Sequence, residues 1–128
     1  MAGERVLIVD DNAINLKLAR VLLTSEGYDV QAAQDASEAL SLVGDFRPHL
    51  ILMDVQLPGM DGLALTRQLK DDPGTGSIVI VAMTAYAMKG DEAKARAAGC
   101  DGYITKPINT RTLAELVASY VRRADGTS

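Results

Sequence analysis

The chain has 128 residues, 48% hydrophobic and 23% charged, which is the composition of one folded domain rather than a disordered segment. One cysteine, Cys100, and one histidine, His49, exclude an internal disulfide framework, a cysteine-built zinc site and a histidine metal cage. With 13 basic and 17 acidic residues, a net charge of −4, no Trp and 4% aromatics, neither a basic nucleic-acid field nor a base-stacking platform is expected.

No apolar run approaches the roughly 18 residues of a membrane helix. The opening, Met1-Ala-Gly-Glu-Arg5, runs straight into Val6-Leu-Ile-Val9 and then into acids, unlike a signal peptide. These features predict a soluble, reduced, cytoplasmic protein forming a single domain over residues 1–128, with its core at about 4–123.

The first apolar run, Arg5–Val9, is continuous rather than alternating, as suits a strand buried on both faces. Ile14, Leu18, Val21 and Leu22 then fall at helical spacing and make one apolar face, with Gly27 as C-cap. A second strand covers Asp29–Ala33. Asp35-Ala-Ser-Glu38 resembles a capping box that opens a helix with the stripe Ala36, Ala39, Leu40 and Val43. Leu50–Met53 reads as the third strand, and Leu65 with Leu69 as a weaker third helix ended by Asp71-Asp-Pro-Gly74. Ile78–Met83 is the fourth strand. The fourth helix, roughly 87–98, is alanine-rich, and an interior Gly90 costs it about 1 kcal/mol relative to alanine. Gly102–Thr105 is the fifth strand. Leu113, Leu116, Val117, Tyr120 and Val121 mark the fifth helix, capped by Asn109 or Thr110.

Strand and helix thus alternate five times, which predicts an α/β fold with a parallel sheet and helices on both faces. In such sheets the active groups gather beyond the carboxyl ends of the strands. There the first strand delivers Asp10 and Asp11, the third Asp54, the fourth Thr84, and the fifth Lys106 followed by Pro107. The second delivers Gln34 and the cap Asp35, so the order 2-1-3-4-5 would put the one strand without a reactive group at the edge.

Taken singly these residues are unremarkable. An Asp-Asp pair caps helices, an Asp or Lys often ends a strand, and Thr is common in strands. Together they suit one task. Converging carboxylates repel, and a hard cation, Mg²⁺ or Mn²⁺, relieves that repulsion. A carboxylate beside such a cation and a lysine can attack phosphorus, because charge on the transferred group is neutralised from both sides. Pro58-Gly59-Met60-Asp61-Gly62 reads as a turn shaping the edge of this site. His49 stands at the start of a strand, the wrong end for phosphate chemistry. Cys100 reads as a buried, idle thiol.

Four stretches carry a family resemblance: Val6-Leu-Ile-Val-Asp-Asp-Asn12, Leu50-Ile-Leu-Met-Asp-Val-Gln-Leu-Pro-Gly-Met-Asp-Gly62, Ala82-Met-Thr-Ala85 and Tyr103-Ile-Thr-Lys-Pro107. In this order and spacing the chain resembles the receiver domain of two-component response regulators over essentially its whole length. Asp-Asn-Ala-Ile-Asn15 is most similar to single-domain cell-division regulators and to receivers of hybrid kinases. The resemblance implies a flavodoxin-like doubly wound fold of five βα units. It implies Asp54 as acceptor of a phosphoryl group from a histidine kinase or histidine phosphotransfer protein. It implies Mg²⁺ held by Asp11, Asp10, Asp54 and the backbone carbonyl of Gln56. Thr84, Ala85 and Lys106 would bind the phosphoryl group, with Tyr103 turning inward behind it. Lys106–Pro107 would be a cis peptide. Gln56 and Tyr86 would tune the lifetime of the phosphate. Output would pass to a downstream protein through the face of the fourth helix, fifth strand and fifth helix, with no DNA-binding domain, nucleic acid or membrane involved. The switch would work as a monomer or weak dimer and act as an enzyme only on its own Asp.

Three rival functions fit less well. A Mg²⁺-dependent phosphohydrolase would place its nucleophile after the first strand and carry a cap domain. A flavodoxin-like cofactor binder wants a hydroxyl- and glycine-rich loop, whereas Asp10-Asp-Asn-Ala13 would repel a phosphate. A phosphorylation-blind scaffold would lack acceptor residues, and here every one is present.

Overall fold

The computed structural model describes residues 4–55, 62–84, 90–105 and 110–124, with the side chains at 91, 110, 111 and 122–124 left aside. The apolar runs form β1 (Arg5–Val9), β2 (Asp29–Ala33), β3 (Leu50–Asp54), β4 (Val79–Thr84) and β5 (Gly102–Thr105). Between and after them lie α1 (Ala13–Ser25), α2 (Ala36–Phe46), α3 (Gly62–Asp71), α4 (Asp91–Ala97) and α5 (Thr110–Ala124). All four strand pairings are parallel, in the order β2-β1-β3-β4-β5. This is the expected doubly wound topology, with β2 at an edge.

Strand alternation sends side chains into two cores. Leu7, Val9, Ile51, Met53, Ile80 and Ala82 pack with α2, α3 and the residues around α4. Val6, Ile8, Leu50, Leu52, Val81 and Met83 pack with α1 and α5 on the opposite face. Both faces of β1, β3 and β4 are therefore dry, which is why their sequences are continuous apolar runs rich in Val, Ile and Leu.

Caps set the helix starts. The Asn12 side chain accepts from the N–H groups of Ile14 and Asn15 at 2.9 and 3.1 Å and opens α1. The Asp35 carboxylate accepts from Glu38 N–H at 2.8 Å. The return half of the capping box shifts by one residue, because the Glu38 carboxylate accepts from Gln34 N–H at 2.8 Å. Gly90 is not interior to α4. It is the N-cap at φ +91°, a left-handed conformation natural to glycine, so the helix loses no stability to it. Residues 85–89, in which the fourth helix was expected to begin, lie outside the described residues.

Three of the four residues of the apolar face expected on α1 are turned away from the core, while the fourth, Leu22, packs at its margin. Ile14, Leu18 and Val21 are 78%, 43% and 61% exposed, while Leu16, Ala19 and Leu23 are buried. The helix carries two apolar stripes at equivalent spacing, and the sheet buries the other one. On α5 the expectation holds, with Leu113, Val117 and Val121 buried and Leu116 and Tyr120 packed at the margin.

Opposite the strands' carboxyl ends, His49 Nδ1 accepts from Arg5 N–H at 3.0 Å, and Arg5 Nε donates to the Arg47 carbonyl at 2.9 Å. This structural role matches the reading of His49. No helix among the described residues is long and apolar enough to cross a membrane.

Candidate functional site

Register brings the acids together. Val9 pairs with Met53, so the next residues, Asp10 and Asp54, leave adjacent strands side by side. Asp10 N–H donates to the Ala33 carbonyl at 3.0 Å, which holds the end of β1 against β2. One Asp10 carboxylate oxygen accepts from Asn12 N–H at 2.9 Å, tying the acid to the cap of α1. Asp54 is the last residue of β3, opposite Met83, and Val55 N–H donates to the Met83 carbonyl at 3.0 Å. Asp10 is 0% and Asp54 3% exposed, whereas Asp11 points to solvent.

One carboxylate oxygen from each of Asp10, Asp11 and Asp54 lies within 4.8 Å of the other two. Two of the three are buried at the end of an apolar sheet, where carboxylates are ordinarily scarce. Hard oxygen donors at this spacing, two shielded and one open to water, fit a small divalent cation that keeps part of its hydration. Thr84 ends β4, 2% exposed, opposite Thr105 of β5. Tyr103 pairs with Ala82 and is half-buried against the core on the α3 side.

Asp10, Asp11, Asp54 and Thr84 therefore share one end of the sheet, and Tyr103 lies one strand over. Gln56, Ala85, Tyr86, Lys106 and Pro107 lie outside the described residues, as do positions 58–61 of the expected turn. Two residues gain importance that the sequence reading did not assign. Asn12 is the cap that fixes Asp10, and its signal was there, since Asn before an apolar helix is a cap pattern. Gly62 lies against the backbone of Asp54, a contact hidden behind its ordinary place in a turn motif.

Cys100 is remote from the acids, buried, with its thiol donating to the Thr66 hydroxyl at 3.9 Å. Burial pushes the thiol's pKa above its ordinary value. Nearby, one Asp101 carboxylate oxygen accepts from Lys70 Nζ at 2.8 Å and from Ile80 N–H at 2.9 Å. That network fastens α3 to the start of β5 and takes no part in the acidic site.

A parallel five-stranded sheet of order 2-1-3-4-5 with an acid cluster at its carboxyl edge is the architecture of a receiver. The response regulator receiver domain family matches residues 6–118, and the chain belongs to that family. It is 47% identical over 116 residues to the polar-differentiation response regulator DivK of Brucella anthropi, covering 91% of this chain and 94% of that protein. A CheY-like response regulator receiver domain protein from Methanospirillum hungatei superposes with a TM-score of 0.90, at 30% identity and 98% coverage of both chains. The receiver domain of the sensor histidine kinase PA1611 from Pseudomonas aeruginosa superposes with a TM-score of 0.84, at 32% identity, covering 94% of this chain and 98% of that one. Its crystal structure has a magnesium ion coordinated in the active site cleft. The chain is thus a receiver domain of two-component signalling, similar to a single-domain response regulator.

Proposed function

We propose that this protein is a phosphorylation-controlled switch with Asp54 as the phosphoacceptor. The observation that carries the reading is the trio of Asp10, Asp11 and Asp54 carboxylates converging within 4.8 Å at the carboxyl edge of the sheet. An Asp54 oxygen attacks the phosphorus of a phosphohistidine, and the phosphorus–nitrogen bond breaks. The imidazole leaves and takes up a proton. The histidine belongs to a kinase or phosphotransfer protein.

Asp10, Asp11, Asp54 and the Gln56 carbonyl hold Mg²⁺, or Mn²⁺ in its place. The cation neutralises charge on the group in transfer. Thr84, Ala85 and Lys106 bind the phosphoryl oxygens. Tyr103 turns inward behind Thr84, while Gln56 and Tyr86 set how fast water reaches the phosphate. The resulting change biases the face of α4, β5 and α5, which a target protein reads. The magnesium of the PA1611 receiver supports the assignment of the cation. The exposed stripe of Ile14, Leu18 and Val21 supports contact with a protein donor, because α1 begins two residues after Asp11. This reading puts the protein in the cytoplasm, as a monomer or weak dimer acting by protein contact.

The test is intact-mass spectrometry after incubation with acetyl phosphate, with and without Mg²⁺, beside Asp54→Asn. A single Mg²⁺-dependent phosphoryl adduct on the wild type, absent in the variant, is the expected result. Steady release of phosphate without an adduct points instead to a hydrolase. The absence of both adduct and phosphate release overturns the acceptor assignment.

A further inference from the structure

The chain leaves β3 at Asp54 and returns in α3 so that Gly62 lies over the end of the strand. Gly62 N–H donates to the Val55 carbonyl at 3.2 Å. A Cβ at position 62 would strike the Asp54 carbonyl oxygen, and would stand 2.8 Å from Val55 Cα and 2.9 Å from the Asp54 carbonyl carbon. These are backbone atoms, so no rotamer change relieves the collision. They are also fixed by the sheet, since Asp54 pairs with Met83 and Val55 N–H donates to the Met83 carbonyl.

The other side of this turn is held as well. The Thr66 hydroxyl donates to the Gly62 carbonyl at 2.9 Å, inside the protein, with Thr66 0% exposed. The same hydroxyl accepts from the Cys100 thiol, just past α4. The first turn of α3 is thus pressed on the strand end from one side and anchored from the other. Gly44 in α2 provides the contrast, because a Cβ there meets nothing within 4 Å.

We propose that Gly62 is a positioning residue for Asp54: with Thr66 behind it, Gly62 sets where the Asp54 carboxylate stands relative to Asp10 and Asp11. Gly62 acts through the Asp54 backbone and touches no reacting atom. Its consequence for phosphorylation rests on the acceptor reading above, while its consequence for cation binding does not need a phosphoryl group. Displacements of about 1 Å at a reacting group can lower a rate by roughly 100-fold. Losses of 10- to 100-fold are therefore the scale expected.

The experiment compares wild type with Gly62→Ala, Thr66→Val, Thr66→Ser and the control Gly44→Ala. Three quantities are read: Mg²⁺ affinity by calorimetry, amide shifts of Asp10, Asp11, Asp54 and Val55 in metal-free protein, and the initial rate with acetyl phosphate at saturating Mg²⁺. Gly62→Ala is expected to weaken Mg²⁺ about tenfold, move the amides at the strand end and slow phosphorylation at least as much. Thr66→Val moves all three in the same direction by less, Thr66→Ser restores them, and Gly44→Ala leaves them unchanged. A folded Gly62→Ala with wild-type affinity and rate overturns the proposal. If Gly62→Ala does not fold, the Thr66 pair decides, and equal behaviour of Val and Ser overturns it. A wild type that binds Mg²⁺ yet takes no phosphoryl group overturns the acceptor reading alone, and the affinity ratio still decides the role of Gly62. A wild type that binds no Mg²⁺ overturns both.

Discussion

Cys100 shows how burial, before any other influence, disfavours the thiolate of a reactive side chain. Its N–H donates to the Ala95 carbonyl at 3.0 Å, its thiol points to Thr66, and burial raises its pKa above the ordinary 9.0. Well below pH 9 the thiol is neutral in the folded and unfolded chains alike, so it adds no pH dependence there. Above that value the unfolded chain releases its proton first and binds fewer protons than the native one, so stability falls as pH rises toward the folded pKa. Urea denaturation at pH 8 and pH 10 is expected to show a larger loss for wild type than for Cys100→Ala. An equal loss in both would remove the thiol from the account. The residue types at the acid site were legible in the same way, from strand ends and company. The 4.8 Å convergence was not, because it depends on the register between β1 and β3.

At the scale of elements, α1 carries the lesson. Ile14, Leu18 and Val21 recur at helical spacing, but so do Leu16, Ala19 and Leu23. A helix with apolar residues on both stripes has no preferred side until it meets the sheet, and here the sheet buries the second set. The two stripes should therefore separate experimentally. Leu23→Ala is expected to cost about 2–5 kcal/mol in urea denaturation. Ile14→Ser with Val21→Ser should stay within about 0.5 kcal/mol per site. The same double change should slow transfer from a phosphohistidine donor and leave acetyl phosphate kinetics alone. Equal slowing with both donors would place the effect in the site rather than on a docking surface. The capping signals of α2 fared better, since a cap is made by neighbours in sequence: Asp35 binds Glu38 N–H as its spacing predicts. Gly90 differed because its role depends on where α4 begins, and alanine-rich sequence extends a helix readily on paper.

For the whole molecule, a parallel sheet with dry central strands ends in acids on one edge, and a cation bound at that edge would couple ligand binding to folding. A cation that binds only the native state stabilises it by mass action, about 2.7 kcal/mol at a hundredfold excess over its dissociation constant. Mg²⁺ is therefore expected to raise the thermal midpoint of wild type, with a chelator reversing the gain. Asp11→Asn and Asp54→Asn should each lose most of that gain. An unchanged midpoint in saturating Mg²⁺ would count against a cation in the acid cluster.

The sequence by itself determined the alternation of five strands and five helices, the two-faced burial of the central strands, and the list of acids and hydroxyl at their carboxyl ends. Those features are written in short-range periodicity and in caps, where a residue's partners are its own neighbours. Only the tertiary structure decided which stripe of α1 is dry, how closely Asp10, Asp11 and Asp54 approach one another, and that Gly62 must lie bare against the Asp54 backbone. Each of these joins residues from separate elements, so it is decided by register and packing between them rather than by either segment alone.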